Sequence, residues 1–280
     1  AYATSDVLVG AGLSSSAAFE VVVGTIISGL YNDMKINSVE IAQISQYAEN
    51  VFFKKPCGLM DQMACSVGGM VNIDFKDPTK PIVKKVPTEF EKYDYSLCIV
   101  DTKGDHVDLT DDYAMIPSEM KKVANFLGED YLRDCDSNEF YIRLDEIREA
   151  VGDRPVLRAI HFFNEEYNVK NAVSSLENGK FVEFLDAIRK SGNSSFKYLQ
   201  NVYTTRDIQH QNISVALALS ESLLRNYGVC RVHGGGFAGT IQAFVKNDFV
   251  SNYKEFINKI FGENSCHVLK VRKYGGIKVM

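Results

Sequence analysis

The sequence predicts a fold in which helices and strands are mixed, with strands near both ends of the chain and helices through its middle. Extended apolar segments at 70–75 and 96–101 are separated by the turn signals Asp77-Pro78 and Pro87, so we expect two strands there. Helical spacing of apolar residues predicts helices at 119–127, 144–151, 157–177, 181–190 and 213–227. The end of the chain alternates again, with strands at 230–233, 240–245 and 267–272 and a helix at 249–261.

The composition is that of an ordinary globular protein. The 280 residues carry a net charge of -5 and are 45% hydrophobic, which is typical of one or two domains. Basic residues are not clustered, so no surface for nucleic acid is expected. No signal peptide or membrane span is apparent, and the six cysteines are dispersed as in reduced cytosolic proteins. We therefore expect a cytoplasmic protein without nucleic-acid or membrane partners.

A loop of glycines and serines precedes a long apolar segment near the start of the chain. Its residues are Gly10, Ala11, Gly12, Leu13, Ser14, Ser15 and Ser16. Glycines allow a tight turn that brings backbone N–H groups close to an anion, and serine hydroxyls add donors or a metal ligand at the positive end of a helix. The segment is typical of a phosphate-binding loop, and an ordinary serine-capped helix is the alternative interpretation.

The helix predicted after this loop, from Ala17 to Tyr31, is apolar on nearly every face. Glu20 is its only ionisable side chain before the terminal tyrosine. A helix of this kind is expected to lie inside the protein. Further helices are predicted at 38–53 and at about 60–66, with two glycines ending the second.

Two acidic residues, Glu49 and Asp61, lie at the end of one predicted helix and the start of the next. If nucleotide phosphates bind the loop, a magnesium ion is needed to offset their charge, and Ser16 with Glu49 can supply the hard oxygen ligands that it prefers. Asp61 is then placed to accept the proton of an attacking hydroxyl. The alternatives are a solvated Glu49 and an Asp61 that only stabilises the start of its helix.

A third segment, 230–240, places three consecutive glycines between two apolar stretches. Such glycines allow close backbone approach to a ligand or to another strand, and a tight hairpin is the favoured interpretation. His233 lies beside the glycines and is assigned a structural role. The segment therefore predicts a hairpin turn at its three glycines.

Together the three segments resemble the motifs of the galactokinases, a branch of the GHMP small-molecule kinases. The matching stretches are 10–18, 57–62 and 234–239, in this order. The triple serine and the sequence Met60-Asp61-Gln62 favour this branch over mevalonate and homoserine kinases. Further agreement is found at 100–102, at His106, at Tyr113 and at 158–161, so the resemblance covers essentially the whole chain.

The resemblance implies an enzyme that uses ATP and Mg2+ to phosphorylate the anomeric hydroxyl of galactose, giving galactose 1-phosphate. By this similarity the loop from Gly10 to Ser16 holds the ATP phosphates, and Ser16 and Glu49 bind Mg2+. Asp61 is the catalytic base. Gly58, Asp61 and Tyr113 contact the sugar.

The same resemblance implies an α+β architecture in two lobes, 1–101 and 102–280, with the ATP and sugar site between them. The family's first motif precedes the region matched here, and the chain begins at Ala1 within a predicted strand at 6–9. We therefore expect a fragment with an incomplete N-terminal lobe that is inactive on its own. Its open sheet edge would be covered by the missing segment or by a neighbouring chain.

Some positions depart from the family pattern. Ile116-Pro117 stands where many members have paired arginines, Gly192 where a histidine is common, and Ala238 where the third motif has a glycine. These differences leave the identity of the sugar open, so a kinase for a related sugar is one alternative. A sensor that binds galactose and ATP without catalysis is another, and the intact segment 14–18 favours the enzyme over it.

Overall fold

The computed structural model describes residues 2–5, 7, 13–55, 57–88, 90–104 and 109–279. They form two compact units, one of Ala1–Glu89 with Lys270–Met280 and one of Phe90–Leu269. These units differ from the predicted division at 101/102 because residues 95–101 pair with strands near the end of the chain, while the last eleven residues return to the first unit. The lobes 1–101 and 102–280 stay a prediction. So does the strand at 6–9, of which only Val7 is described.

Three α-helices and one β-hairpin are found among the described residues of the first unit. Its elements are α1 (Ser15–Tyr31), α2 (Ser38–Tyr47), α3 (Met60–Val67), β1 (Met70–Asp74) and β2 (Ile82–Val86). Helix α2 starts at a capping box, in which the Asn37 side chain accepts from the N–H of Glu40 while the Glu40 carboxylate accepts from the N–H of Asn37. A π-helical turn, Ala48–Phe52, extends α2 by five residues and brings Glu49 to the interior.

Helix α1 is more exposed than its composition suggests, and the expectation that it lies inside the protein is wrong. It packs on α2 and α3 through one narrow stripe, and its buried residues are Ala17, Val21, Thr25 and Ser28. The opposite face leaves apolar side chains in solvent, with Phe19 64% and Leu30 71% exposed. Contact on one side only buries about one stripe of a helix, whatever the other faces carry.

The core of the first unit lies between α2, α3 and the hairpin, and its buried members are Ala42, Leu59, Met63 and Val67. The end of the chain closes one side of it, because the N–H of Gly69 donates to the carbonyl of Arg272 at 2.7 Å. Gly68 has a φ of 66°, and a side chain there would overlap the backbone at Tyr274. This glycine pair therefore ends α3 and also admits the returning segment.

The second unit is built on a four-stranded antiparallel sheet with strand order β4-β5-β3-β6. The strands are β3 (Tyr95–Asp101), β4 (Gly228–Val232), β5 (Thr240–Lys246) and β6 (Cys266–Leu269). In the central strand β3, Cys98 is paired with Ala243 on one side and with Val268 on the other. The predicted hairpin around the three glycines is confirmed, since β4 pairs directly with β5.

The described residues of the second unit also form seven α-helices. They are α4 (Thr110–Phe126), α5 (Ser137–Ile142), α6 (Leu144–Val151), α7 (Asp153–Glu177), α8 (Phe181–Ser194), α9 (Asn212–Leu223) and α10 (Val250–Phe261). Helices and antiparallel strands occupy separate parts of the unit, so the α+β class is confirmed. The buried guanidinium of Arg158 on α7 donates to Glu119 of α4 at 2.8 Å and joins the two helices. None of the described helices is long and apolar enough to cross a membrane.

Candidate active site

The described part of the predicted phosphate loop, residues 13–16, leads into the start of α1. Ser14 has a left-handed backbone, with φ 55° and ψ 45°, and its side chain makes no capping hydrogen bond. The first turn of α1 contains no acidic residue. In the described part of the chain no capping side chain is thus found for the first N–H groups of this helix, which suits an anion rather than a serine-capped start. Gly10, Ala11 and Gly12 lie outside the described residues.

Glu49 lies at the end of α2 with only 4% of its surface exposed, so the interpretation of a solvated side chain is wrong. Its Oε1 accepts from Lys55 Nζ at 2.5 Å. Its Oε2 accepts from Gln62 Nε2 at 2.8 Å and from the Cys57 thiol at 3.2 Å. The side chain of Ser16 also hydrogen-bonds Glu49, so the structure brings together the two residues predicted to hold Mg2+.

The surroundings of Glu49 favour its charged form. Burial acts to raise the pKa of Glu49, but the hydrogen bonds from Lys55, Cys57 and Ser16 outweigh it and the pKa lies below its ordinary value. The same contact raises the pKa of Lys55. Burial and the hydrogen bond to Glu49 raise the pKa of the Cys57 thiol to about 11. At neutral pH the centre is thus a carboxylate, an ammonium and a neutral thiol.

A second carboxylate, Glu20 of α1, joins this centre through Gln62. The Gln62 amide donates from Nε2 to Glu20 Oε2 at 3.3 Å, and partial burial raises the pKa of Glu20. The buried Oε1 of Gln62 has no hydrogen-bond partner among the described residues. Hydroxyl, carboxylate and amide oxygens are the donor types that Mg2+ prefers.

The oxygen atoms of Ser16, Glu49 and Gln62 suit a metal ion that is also coordinated by a bound ligand. They suit an ion coordinated by protein alone less well. Among the described residues, no group of three or more His, Cys, Asp and Glu side chains is arranged to hold a metal ion. Mg2+ commonly binds one or two carboxylates and completes its coordination with phosphates and waters. Ser16 and Glu49 would hold such an ion, with the amide oxygen of Gln62 nearby.

Asp61 lies in the first turn of α3 and faces solvent, whereas its neighbour Gln62 points inward to Glu49. No hydrogen bond to the Asp61 carboxylate is found in the described part of the chain. Gly58, just before the helix, is exposed, and a Cβ added there would have no atom within 4 Å. The Asp61 carboxylate is therefore accessible, and the surface beside it at Gly58 is free of contacting atoms from the other described residues.

Tyr113 of α4 supports the glycine turn between β4 and β5. Its hydroxyl donates to the carbonyl of Gly236 at 2.7 Å, and its ring meets Phe237 edge to face at a centroid distance of 5.3 Å. A Cβ on Gly235 would lie 2.8 Å from the ring. Burial raises the pKa of Tyr113, so its hydroxyl stays protonated as a donor. A glycine is thus required where the turn crosses the tyrosine.

The same turn is tied down by polar contacts on its other sides. The side-chain amide of Asn201 donates to Gly235 at 3.0 Å, and Thr102 donates its hydroxyl to the carbonyl of Gly239 at 2.7 Å. His233 Nδ1 lies 2.9 Å from Thr240 Oγ1, in agreement with a structural role for this histidine. The glycine segment is therefore a fixed turn of the second unit.

Beside this turn the second unit contains a polar cavity of about 480 Å³. Its described lining consists of Lys103, Gly104, Leu109, Thr204, Arg206, Asp207, His210, Asn212, Phe237 and Ala238. This volume is within the range of small-molecule sites. Arg206 forms ion pairs with Asp111 and Asp112 at the start of α4, so the basic side of the cavity is held in place.

The residues of these centres that the sequence did not predict include Lys55, Gln62 and Asn201. Gln62 was part of a matched motif, and it lies on the same face of α3 as the buried Ser66, four residues later. Lys55 and Asn201 lie in irregular segments, where no periodicity marks a buried contact.

Comparisons with known proteins agree with the motifs. Residues 2–69 match the family model described as GHMP kinases N terminal domain. A galactokinase of Actinobacillus pleuropneumoniae is 30% identical over 254 residues, which are 91% of this chain and 63% of that protein. The chain thus spans less than two thirds of the length of this relative.

Solved structures show the same fold. The galactokinase of Lactococcus lactis, solved in complex with galactose, superposes with a TM-score of 0.75 at 21% identity, covering 97% of this chain and 68% of that one. The L. major mevalonate kinase, solved in complex with R-mevalonate, gives a TM-score of 0.59 at 14% identity over 92% of this chain and 65% of that one. The fold is therefore that of the GHMP kinases. Residues 2–69 thus match a GHMP kinase N-terminal domain, and the chain is similar to galactokinases along most of its length.

Proposed function

We propose that the protein is an ATP-dependent sugar kinase that transfers the γ-phosphoryl group to the anomeric hydroxyl of galactose. The observation that carries this proposal is the joining of Ser16 at the start of α1 to the buried, ionised Glu49. A helix start without an acidic neighbour suits the nucleotide phosphates, and a hydroxyl beside a carboxylate suits the cation that accompanies them. The galactokinase relatives support galactose as the acceptor.

In this proposal each group of site residues has a distinct role. The segment from Gly10 to Ser16 and the first N–H groups of α1 bind the phosphates of ATP. Ser16 and Glu49 hold Mg2+, which when bound offsets the charge of the β- and γ-phosphates. Gln62 keeps the Glu49 carboxylate in position, and Lys55 contacts it in the metal-free protein.

Asp61 accepts the proton of the anomeric hydroxyl. At the same time the hydroxyl oxygen bonds to the γ-phosphorus of ATP, and the bond from that phosphorus to the β-phosphate oxygen breaks, so that ADP is released. An exposed carboxylate at a helix start can be reached by such a hydroxyl. We further propose that Gly58 and Tyr113 line the sugar site. Tyr113 would act through the turn that it holds, because its hydroxyl is already engaged with Gly236.

We place the protein in the cytoplasm, where ATP is available. All six cysteines are free thiols, and three of them, Cys98, Cys230 and Cys266, are buried. Unpaired cysteines are typical of a reducing compartment.

The proposal is tested by measuring ADP release with ATP, Mg2+ and a set of sugars: galactose, N-acetylgalactosamine, arabinose and glucose. The full-length gene product is assayed beside the 280-residue chain. We expect release with galactose and an anomeric phosphate in the ³¹P spectrum of the product, and no turnover by the 280-residue chain alone. Turnover with another sugar only would change the substrate. Binding of galactose and ATP by the full-length product without turnover would replace the enzyme with a sensor.

A further inference from the structure

The carboxylate of Glu49 is closed off from solvent by one exposed side chain. Glu49 is 4% exposed as a residue, whereas the Lys55 side chain is 65% exposed. Lys55 Nζ lies 2.5 Å from Glu49 Oε1, and the other oxygen already accepts from Gln62 and Cys57. The ammonium thus stands on the water-facing side of a carboxylate that is otherwise surrounded by protein.

The backbone places Lys55 at this carboxylate. The N–H of Lys55 donates to the backbone carbonyl of Glu49 at 3.1 Å, so the two residues are joined through main chain and side chain. Lys54 has a φ of 55°, and this left-handed residue turns the chain back toward α2. The N–H of Cys57 donates to Asn50 Oδ1 at 2.7 Å and holds the far end of the turn.

A divalent cation bound at Glu49 Oε1 would compete with Lys55 for that oxygen. An ammonium offers only donors and cannot ligate a metal, so it must leave Oε1 before a cation can bind there. Its stem is long, flexible and largely in solvent, so it can move away without disturbing the core.

We propose that the Lys55 ammonium occupies the cation position at Glu49 in the metal-free protein. There it positions the Glu49 carboxylate and lowers the affinity of this carboxylate for divalent ions. This inference rests on the proposed function, because it takes the Mg2+ ligands from there. When the ion binds, the ammonium moves from Oε1 into solvent. Lys55 is a positioning residue and contacts no reacting atom.

The test is a titration with Mn2+ in the absence of nucleotide, with free Mn2+ followed by its electron paramagnetic resonance signal. Lys55→Met removes the ammonium and keeps the length of the stem, and Lys54→Met is the matched control for the adjacent exposed charge. We expect Lys55→Met to bind Mn2+ roughly two- to fivefold more tightly, as the loss of a partly exposed ion pair implies. Lys54→Met and Lys55→Arg should bind like the wild type.

Glu49→Gln separates the two proposals. If Mn2+ binding depends on Glu49 and Lys55→Met leaves the affinity unchanged or weaker, the inference about Lys55 is wrong while the metal position stands. If Glu49→Gln binds Mn2+ like the wild type, the metal lies elsewhere and both are overturned. Thermal unfolding of each variant establishes that the comparison is made on folded protein.

Discussion

The side-chain nitrogen of Gln62 donates a 2.8 Å hydrogen bond to the buried carboxylate of Glu49. The same nitrogen reaches Glu20 at 3.3 Å, so one amide group stands between two carboxylates on separate helices. Gln62 is itself almost completely buried. The relationship joins α1, the end of α2 and the start of α3 in one polar centre.

Replacing Gln62 with leucine should destabilise the protein, because Glu49 loses a donor in a site that water does not reach. A buried acceptor deprived of its partner costs about 1–3 kcal/mol. Urea denaturation at pH 7 measures the change in the free energy of unfolding. Gln209→Leu, on the exposed surface, is the control and should have little effect. Equal stability of the two variants would mean that the amide is dispensable.

The stability supplied by Glu49 should disappear in acid. Its pKa is lower in the folded protein than in the unfolded chain, so its contribution is fully present above the unfolded value of about 4.3 and is lost as the pH falls through the lower folded value. The free energies of unfolding of the wild type and of Glu49→Gln should therefore begin to converge as the pH falls below about 4. A difference that stays constant from pH 7 to pH 3 would contradict this prediction.

Asp61→Asn should abolish phosphoryl transfer while leaving the fold and ATP binding intact. The side chain is exposed at the start of α3, so the substitution removes a proton acceptor without opening the core. Turnover with galactose and a fluorescent ATP analogue in a binding titration measure the two properties. Asp33→Asn, which changes an exposed acid outside the site, is the control. Turnover at the wild-type level would remove Asp61 as the base.

Gly235→Ala should destabilise the second unit through Tyr113. The new methyl group would lie 2.8 Å from the tyrosine ring, closer than packed atoms tolerate. Tyr113→Leu provides a smaller neighbour, so the cost of Gly235→Ala should be lower in that background, and a double-mutant cycle by thermal unfolding measures the coupling. Additive effects would show that the ring is not the obstacle.

The local structure was predictable where chemistry and periodicity agree. Helix α6 has the predicted bounds, 144–151, and Gly152 follows with a φ of 88°. Helix α4 begins at Thr110 rather than at the predicted residue 119, and Pro117 lies inside the helix. Local signals describe short elements well, and a proline becomes tolerable only where neighbouring packing supports the helix.

The pairing of Ser16 with Glu49 followed from the chemistry of phosphates and magnesium, since both residues belong to recognisable motifs. The contact of Lys55 with the same carboxylate depends on the left-handed turn at Lys54, a position for which the sequence favours no such conformation. The exposed face of α1 was also unpredictable, because apolar composition does not tell how many sides of a helix find a partner.

The central strand β3 of the second unit has consequences for biosynthesis. Its partners β5 and β6 follow roughly 140 to 170 residues later, so both of its edges wait for hydrogen-bond partners until nearly the whole chain has left the ribosome. Long-range pairing of this kind is slow, and unpaired strand edges attract other chains in the meantime. Nascent polypeptides that stop short of β5 should therefore depend on chaperones, and yield should rise when synthesis is slowed by a lower temperature.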